Sequence, residues 1–282
     1  MEIDQKWERL QTLLREMKGA VLAYSGGVDS SLLLKAASEA MGARLVAITA
    51  VSETYPGGEL KAASAFATSL GVAHRILRTT ELEHEAFAQN ASDRCYHCKT
   101  ELFGKLSEIA RHESLPFVLD GSNTDDLKDL RPGRKAAESY SVRSPLIEAG
   151  FCKADIRQFA LSLNLPMWNK PSLACLSSRI PFGTRITRDV LDKIQQAEDL
   201  LHGFGFSQVR VRHHGDTARI EIEKTEFALL LSDDMPNVIV SSLKALGYTY
   251  VCLDLAGYRT GSMNEAGQQM RNDSSQGGGK KA

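Results

Sequence analysis

Two serines, two glycines and an aspartate fall within the six residues Ser25-Gly26-Gly27-Val28-Asp29-Ser30. The apolar run Ala20-Val21-Leu22-Ala23-Tyr24 before them reads as a buried strand. Ser31-Leu32-Leu33-Leu34-Lys35-Ala36-Ala37 after them reads as a helix. A glycine pair between strand and helix makes a phosphate site. Glycine takes backbone angles closed to other residues and lets an anion approach the main chain. The first-turn amides of the helix have no partner inside it, and the dipole favours negative charge there. Ser25 and Ser30 add hydroxyl donors. A Walker loop needs a Lys-Ser/Thr pair, and this loop holds no lysine.

Sulfur is the second chemistry. Cys95-Tyr96-His97-Cys98 stands just before a helix predicted over Lys99 to His112, and Cys175 lies in the Pro/Ser-rich stretch Lys170 to Arg179. A CxxC pair serves dithiol redox chemistry, zinc binding, or nothing beyond two surface thiols. Structural zinc wants a fourth strong ligand, and His97 is squeezed between the cysteines. Three thiolates suit a [4Fe–4S] cluster with one iron left for exogenous sulfide. Cys152 and Cys252 read as small buried hydrophobes.

The surrounding elements form a pattern. Ile3 to Met17 carries Trp7, Leu10, Leu13 and Leu14 at helical spacing. Strands are predicted at Arg44 to Ala50, His74 to Leu77 and Pro116 to Gly121, with helices over Gly58 to Leu70 and Phe151 to Leu163. Alternation of this kind implies an α/β fold, a parallel sheet with helices on both faces. Ligands of such sheets sit beyond the carboxyl ends of the strands. Ser25, Ser52 and Gly121 all fall at that edge, so they read as one site. Asp120-Gly121-Ser122-Asn123-Thr124-Asp125-Asp126 is otherwise a strand end entering a helix cap, and Arg131 to Arg134 a basic turn. Beyond Pro171 the style changes to a helix over Thr187 to His202, paired strands over Ser207 to Arg212 and Thr217 to Ile222, further helix, and a strand over Thr249 to Leu253. His213-His214 beside Gly215-Asp216 reads as the hairpin turn. We therefore expect domains over 1–170 and 171–262, the second a smaller α+β unit, and a disordered Gln/Ser/Gly/Lys-rich tail over 263–282.

Composition sets the limits. The 282 residues are 43% apolar with a net charge of −1, those of an ordinary soluble globular protein. With pI ≈ 6.7 the chain lacks the charge to coat nucleic acid. No apolar run reaches the length of a membrane span, and the start lacks a signal-peptide pattern. Five cysteines, an odd number, argue against a disulfide framework. The expected location is the cytoplasm.

The six-residue loop resembles the SGGxDS signature of the PP-loop ATP pyrophosphatases, whose fold is adenine nucleotide alpha hydrolase-like. That resemblance implies a grip on the β,γ-pyrophosphate of ATP and cleavage between the α- and β-phosphates. Ser25, Gly26, Gly27, Asp29, Ser30, Ser52 and Gly121 would bind ATP. Asp29, itself an anion, would act through Mg²⁺. A wider resemblance runs through SGGVDS, DGSNTDD, RPGRKAAES, WNKPS…CLSSRIPFGT, VRVRHHGDTARIEI and LDLAGYRTGSMN. Together these resemble the LarE family, ATP-dependent sulfur insertases of nickel-pincer nucleotide cofactor biosynthesis, over nearly the whole chain. The resemblance implies adenylation of a carboxylate of pyridinium-3,5-biscarboxylic acid mononucleotide, then displacement of AMP by sulfur to give a thiocarboxylate. The family has a single-cysteine form, which sacrifices its own sulfur, and a three-cysteine form with a cluster. Cys95, Cys98 and Cys175 put this chain with the cluster form, with a sulfide or other sulfur donor as partner and a homo-oligomer as the expected assembly.

A mononucleotide substrate needs cations for its phosphate. Ser178 and Arg179 follow Cys175 directly, Arg210 and Arg212 alternate along one strand face, and Arg259 sits in Gly257-Tyr258-Arg259. Guanidinium forks suit phosphate; the other reading of such arginines is a solvated face. Rival functions are a PP-loop tRNA thiolase, which would carry a basic stripe or an RNA-binding module, an amidotransferase-type synthetase, which gives three cysteines no task, and a non-catalytic nucleotide or redox sensor.

Overall fold

Strand β1 (Ala20–Ala23) is the centre of a four-stranded sheet, with β2 (Leu45–Val51) on one side and β4 (Phe117–Leu119) on the other; β3 (Ala73–Arg78) lies outside β2. All pairings are parallel, with Val21 opposite Val46 and Val118. A strand buried on both faces reads as an uninterrupted apolar run, which is why β1 shows no alternation. The structure is a computed structural model and describes residues 2–55, 59–128, 132–171, 174–259 and 262–264.

Helices α1 (Ile3–Met17), α2 (Val28–Met41), α3 (Glu59–Ser69), α4 (Glu85–Ala88), α5 (Arg94–His112), α6 (Pro132–Ser139), α7 (Pro145–Glu148) and α8 (Lys153–Ser162) surround this sheet. Successive β1 residues point to opposite faces, and two apolar layers result. Ala20 and Leu22 pack with Leu10 and Leu14 of α1, Leu33 and Leu34 of α2 and Phe159 of α8. Val21 packs with Phe103 and Leu106 of α5 and Ala136 of α6. The α1 stripe is completed by Trp7, whose ring stacks on Phe159 at 4.6 Å between centroids. The parallel sheet with helices on both faces expected from the alternation is the fold observed.

The chain divides into two units, Met1–Ala174 and Cys175–Ala282. In the second, α9 (Arg188–Gly203) starts where the Thr187 hydroxyl accepts from the Val190 amide at 3.3 Å. A three-stranded mixed sheet follows: β5 (Val209–His214) and β6 (Thr217–Ile222) are antiparallel, and β7 (Tyr250–Leu253) runs parallel to β6. Between β6 and β7 stand α10 (Phe227–Leu230) and α11 (Met235–Ala245). Their core includes Leu201, Phe206, Val211, Ile220, Ile239 and Leu243.

Several local readings change. The hairpin turn is Gly215-Asp216, with Gly215 at φ +65°; His213 and His214 belong to β5. Pro132 to Arg134 open helix α6 rather than a turn, since proline suits a first helical turn; Arg131 lies outside the described residues. Cys252 is exposed on β7, at the edge of its sheet, and Cys152 is half-buried at the start of α8. Met263 and Asn264, expected in the tail, stand in a short 3-10 turn from Ser262; residues 265–282 lie outside the described residues.

Candidate active site

The strand order makes β1 the point where connections reverse direction, and the loops after β1 and β4 flank the crevice there. Gly27 is the N-cap of α2 and has no side chain to satisfy the amides of its first turn. Gly26 stands at φ +78°, and an added Cβ would lie 2.9 Å from the Ala63 Cβ, so both backbone and space demand glycine. The Ser25 hydroxyl accepts from the Gly27 amide at 3.3 Å and lies 3.1 Å from the Ser30 hydroxyl. The Ser30 hydroxyl in turn reaches the Gly27 carbonyl at 3.1 Å. Both hydroxyls are thus aimed into the loop.

The β4 end closes on this loop. A Cβ at Gly121 would stand 3.0 Å from the amide nitrogen and Cα of Ser30. Asp120 holds the turn by accepting from the Ser122 amide at 3.2 Å and the Ser122 and Ser144 hydroxyls, each at 2.7 Å. Asn123 and Asp126 continue it with side-chain bonds to nearby amides. From the β2 end, Ser52 makes a local turn with Thr54, and Tyr55 donates its hydroxyl to the Ser25 carbonyl at 3.1 Å. Burial, then the charge of Glu59, pushes the Tyr55 phenol up to about 12, so it stays a neutral donor. Ser25, Gly26, Gly27, Ser30, Ser52 and Gly121 therefore meet at one sheet edge.

Asp29 has a partner that the sequence reading missed. Lys153, the first residue of α8, bonds both Asp29 carboxylate oxygens, at 2.8 and 2.6 Å. The Lys153 amide donates to Asp125 at 2.9 Å, which ties the start of α8 to the β4 loop. Burial raises the Asp29 pKa, with Lys153 opposing the rise and Asp126 adding to it. Arg157, one turn along α8, also acts on Asp29 electrostatically. The one available signal was Lys153 and Arg157 at i,i+4, which puts two cations on one helix face.

The cysteines differ in setting. Cys95 and Cys98 are the second and fifth residues of α5 and do not precede it; Cys95 is exposed and Cys98 half-buried. The Cys98 thiol donates to Glu81 at 3.6 Å. Exposed Cys175 opens the second unit, and its carbonyl accepts from the Ser178 amide at 2.9 Å and from Arg179 Nη1 at 3.0 Å.

The arginines of the second unit are not a solvated face. Arg179 is 2% exposed and makes a two-pronged pair with Glu198, at 3.0 and 2.9 Å. Arg212 pairs with fully buried Glu221 at 2.6 Å and also bonds the Ser262 hydroxyl and the Ser178 carbonyl. Arg210 is buried, donates to the Val209 carbonyl and lies over the Tyr258 ring; burial and then the Arg179 charge lower its pKa. Arg259 is more open and reaches Asp254 at 3.6 Å, which Arg219 also approaches. Ser178, Arg179, Arg210 and Arg212 thus gather near the Cys175 turn, balanced by two glutamates. Glu198 was visible in principle: it interrupts the apolar stripe Leu191, Ile194, Leu201 of α9, where a charge needs a buried partner.

Among the described residues no group of three or more His, Cys, Asp or Glu side chains is assembled as a metal site, and no helix is long and apolar enough to cross a membrane. Residues 17–112 match the family model described as asparagine synthase. Over 262 residues the chain is 40% identical to an uncharacterized protein of Synechocystis sp., covering 93% of this chain and 98% of that one. Over 258 residues it is 37% identical to the pyridinium-3,5-bisthiocarboxylic acid mononucleotide synthase of Lactiplantibacillus plantarum, covering 91% and 92%. An uncharacterized protein of Methanocaldococcus jannaschii is 30% identical over 267 residues, 91% of this chain and 98% of its own.

Proposed function

We infer the function from one premise: the chain belongs to the LarE family, that of the pyridinium-3,5-bisthiocarboxylic acid mononucleotide synthase. It is an ATP-dependent sulfurtransferase that turns a carboxylate of pyridinium-3,5-biscarboxylic acid mononucleotide into a thiocarboxylate. The full-length likeness to the named synthase carries this reading. The glycine loop at the start of α2, pressed by Gly121, supports the ATP half of it.

In the first step a substrate carboxylate oxygen attacks the α-phosphorus of ATP, and the bond to the bridging α–β oxygen breaks. The Gly26-Gly27 backbone and the hydroxyls of Ser25 and Ser30 hold the departing pyrophosphate, and Lys153 offsets its charge. Ser52 and Gly121 shape the same pocket edge. Carboxylate oxygens suit Mg²⁺, and Asp29, with Asp126 nearby, would hold the ion once Lys153 yields an oxygen to it. When bound, that ion supplies positive charge to the phosphates. In the second step a sulfur nucleophile attacks the acyl carbon and AMP leaves, a far better leaving group than oxide. Ser178, Arg179, Arg210, Arg212 and Arg259 hold the substrate phosphate beside Cys175.

Cys95, Cys98 and Cys175 would hold a [4Fe–4S] cluster. The donor set fits: three thiols, none fully buried, of the ligand type that iron–sulfur clusters take. When bound, such a cluster would supply sulfide to the second step. The partners are an external sulfide or sulfur donor and further copies of the chain as a homo-oligomer, and the reaction belongs to the cytoplasm. Anoxic incubation with ATP and the biscarboxylic mononucleotide tests the reading. It should yield the thiocarboxylate mass, AMP and pyrophosphate; ADP with orthophosphate would sink it.

A further inference from the structure

The pair Cys95 and Cys98 carries a chemistry that sulfur transfer does not use. Three residues apart near the start of α5, their Cα atoms are about 5 Å apart by helix geometry. That lies within the span of a disulfide. The two sulfurs are unequal: Cys95 is exposed and Cys98 half-buried. The Cys98 thiol donates at 3.6 Å to Oε1 of Glu81, which also accepts from the Thr79 hydroxyl at 3.0 Å. Glu81 is 5% exposed, and its other oxygen, Oε2, is buried without a hydrogen-bond partner. A buried carboxylate oxygen with no donor is costly, and structural packing alone gives no reason to keep one. Its place beside a half-buried thiol, one turn from an exposed thiol, is that of an acceptor serving the inner sulfur.

We propose that Cys95 and Cys98 form a reversible dithiol–disulfide couple, with Cys95 the attacking sulfur and Cys98 the resolving sulfur, aimed by Glu81. The oxidant is a low-molecular-weight disulfide. Cys95 Sγ bonds to one of its sulfurs, the oxidant's S–S bond breaks, and the first thiol leaves with the Cys95 proton. Cys98 Sγ then bonds to Cys95 Sγ, the mixed disulfide breaks, and the second thiol leaves with the Cys98 proton. Two protein thiols are oxidised and one disulfide is reduced to two thiols. Closing the couple withdraws both thiols from any metal or sulfur group. The proposal goes beyond the sulfur-transfer reading and does not depend on it.

The test uses the full-length, metal-free protein and oxidised glutathione, followed by alkylation and trypsin. Cleavage after Arg94 and Lys99 releases both cysteines in one peptide, Cys95 to Lys99. The closed couple is that peptide unalkylated and lighter by two hydrogens, restored by dithiothreitol. In Cys98→Ser the reaction should stop with glutathione on Cys95. In Cys95→Ser, Cys98 should remain open to alkylation. Glu81→Leu should slow resolution of the mixed disulfide, and Glu81→Gln, which keeps an acceptor oxygen, should recover most of the rate. A wild-type peptide with both cysteines alkylated, or with glutathione retained on Cys95, overturns the couple. Equal rates in Glu81→Leu and wild type remove Glu81 from it. No ATP or substrate enters the assay, so its failure leaves the synthase reading standing, and the converse holds.

Discussion

Lys153 holds both carboxylate oxygens of Asp29 across 124 residues of sequence. This pairing joins the glycine loop at the end of β1 to the start of α8, which the Lys153 amide ties to the β4 loop through Asp125. In the proposed reaction it also sets a cation beside the departing pyrophosphate. Lys153→Met should abolish AMP formation, as should Asp29→Ala, which would leave the proposed Mg²⁺ without its carboxylate. The pair is partly exposed, with side chains at 30% and 24%, so neither change should shift stability by more than about 1 kcal/mol. Normal turnover in a folded Lys153→Met protein would remove Lys153 from the reaction.

The same aspartate gives stability a pH dependence. Burial lifts its pKa above the ordinary 3.8 even with Lys153 opposing the lift. A raised carboxyl pKa means that the folded state holds the proton more tightly than the unfolded one. Its contribution is then full below 3.8 and lost as pH rises through the folded value. Asp29→Asn removes that loss. Urea unfolding should find the variant more stable than wild type at neutral pH, with the gap closing toward about pH 3. A gap that widens on acidification would reverse the sign.

Gly121 is the tightest contact of the crevice that involves no unusual backbone angle. Its added Cβ would face main-chain atoms of Ser30 at 3.0 Å, and the start of α2 cannot move without moving its first-turn amides. Gly121→Val should cost about 1–3 kcal/mol of stability by overpacking. It should also weaken ATP binding more than Gly71→Val, whose site has open space but a φ of +67°. Calorimetric titration with ATP separates the two. Equal ATP affinities would mean that the β4 loop does not shape the nucleotide site.

Legibility in the sequence followed the range of the forces involved. The strand, glycine pair and helix around Ser25 to Ser30 are set by neighbours in the chain, and α1 matches its predicted span, Ile3–Met17, to the residue. The β4 end was read correctly as lying at the same sheet edge, because parallel alternation fixes which strand ends share a side. Lys153 was missed because its partner is remote and a lone lysine at a helix start is ordinary. Arg179 and Arg212 were recognised as cations, but their burial depends on Glu198 and Glu221, which only the folded second unit brings to them. Cys252 read as a core residue, yet edge or centre is a property of strand order, and β7 is an edge.

Those buried pairs change what an arginine substitution measures. Arg179→Ala strands Glu198 in the interior, at 6% exposure, and should destabilise the protein by about 3–5 kcal/mol. Loss of substrate binding in that variant would be confounded with unfolding. Arg259 is 35% exposed and its partner Asp254 lies at 3.6 Å, so Arg259→Ala should stay within about 1 kcal/mol of wild type. If it touches the substrate phosphate, mononucleotide affinity should fall roughly ten- to a hundred-fold while ATP affinity holds. Unchanged mononucleotide affinity would leave Arg259 as a surface partner of Asp254 alone.

In the proposed reaction, sulfur delivery rests on three cysteines. Cys95 and Cys98 share one helical turn, and Cys175 comes from the start of the other unit, so no local motif links all three. Their joint necessity is therefore a demanding expectation. Protein prepared without oxygen should carry about four irons and four inorganic sulfides per chain. Changing any one of the three to Ala should remove the iron and the sulfur transfer, yet leave ATP binding intact, because the glycine loop and Lys153 do not depend on them. Cys152→Ala and Cys252→Ala should change neither. If only Cys175 proved necessary, and mass spectrometry after turnover found that residue stripped of its sulfur, the cluster would be wrong. Cys175 would then be the sulfur donor itself, consumed once per chain, and Cys95 and Cys98 would be left with redox chemistry alone.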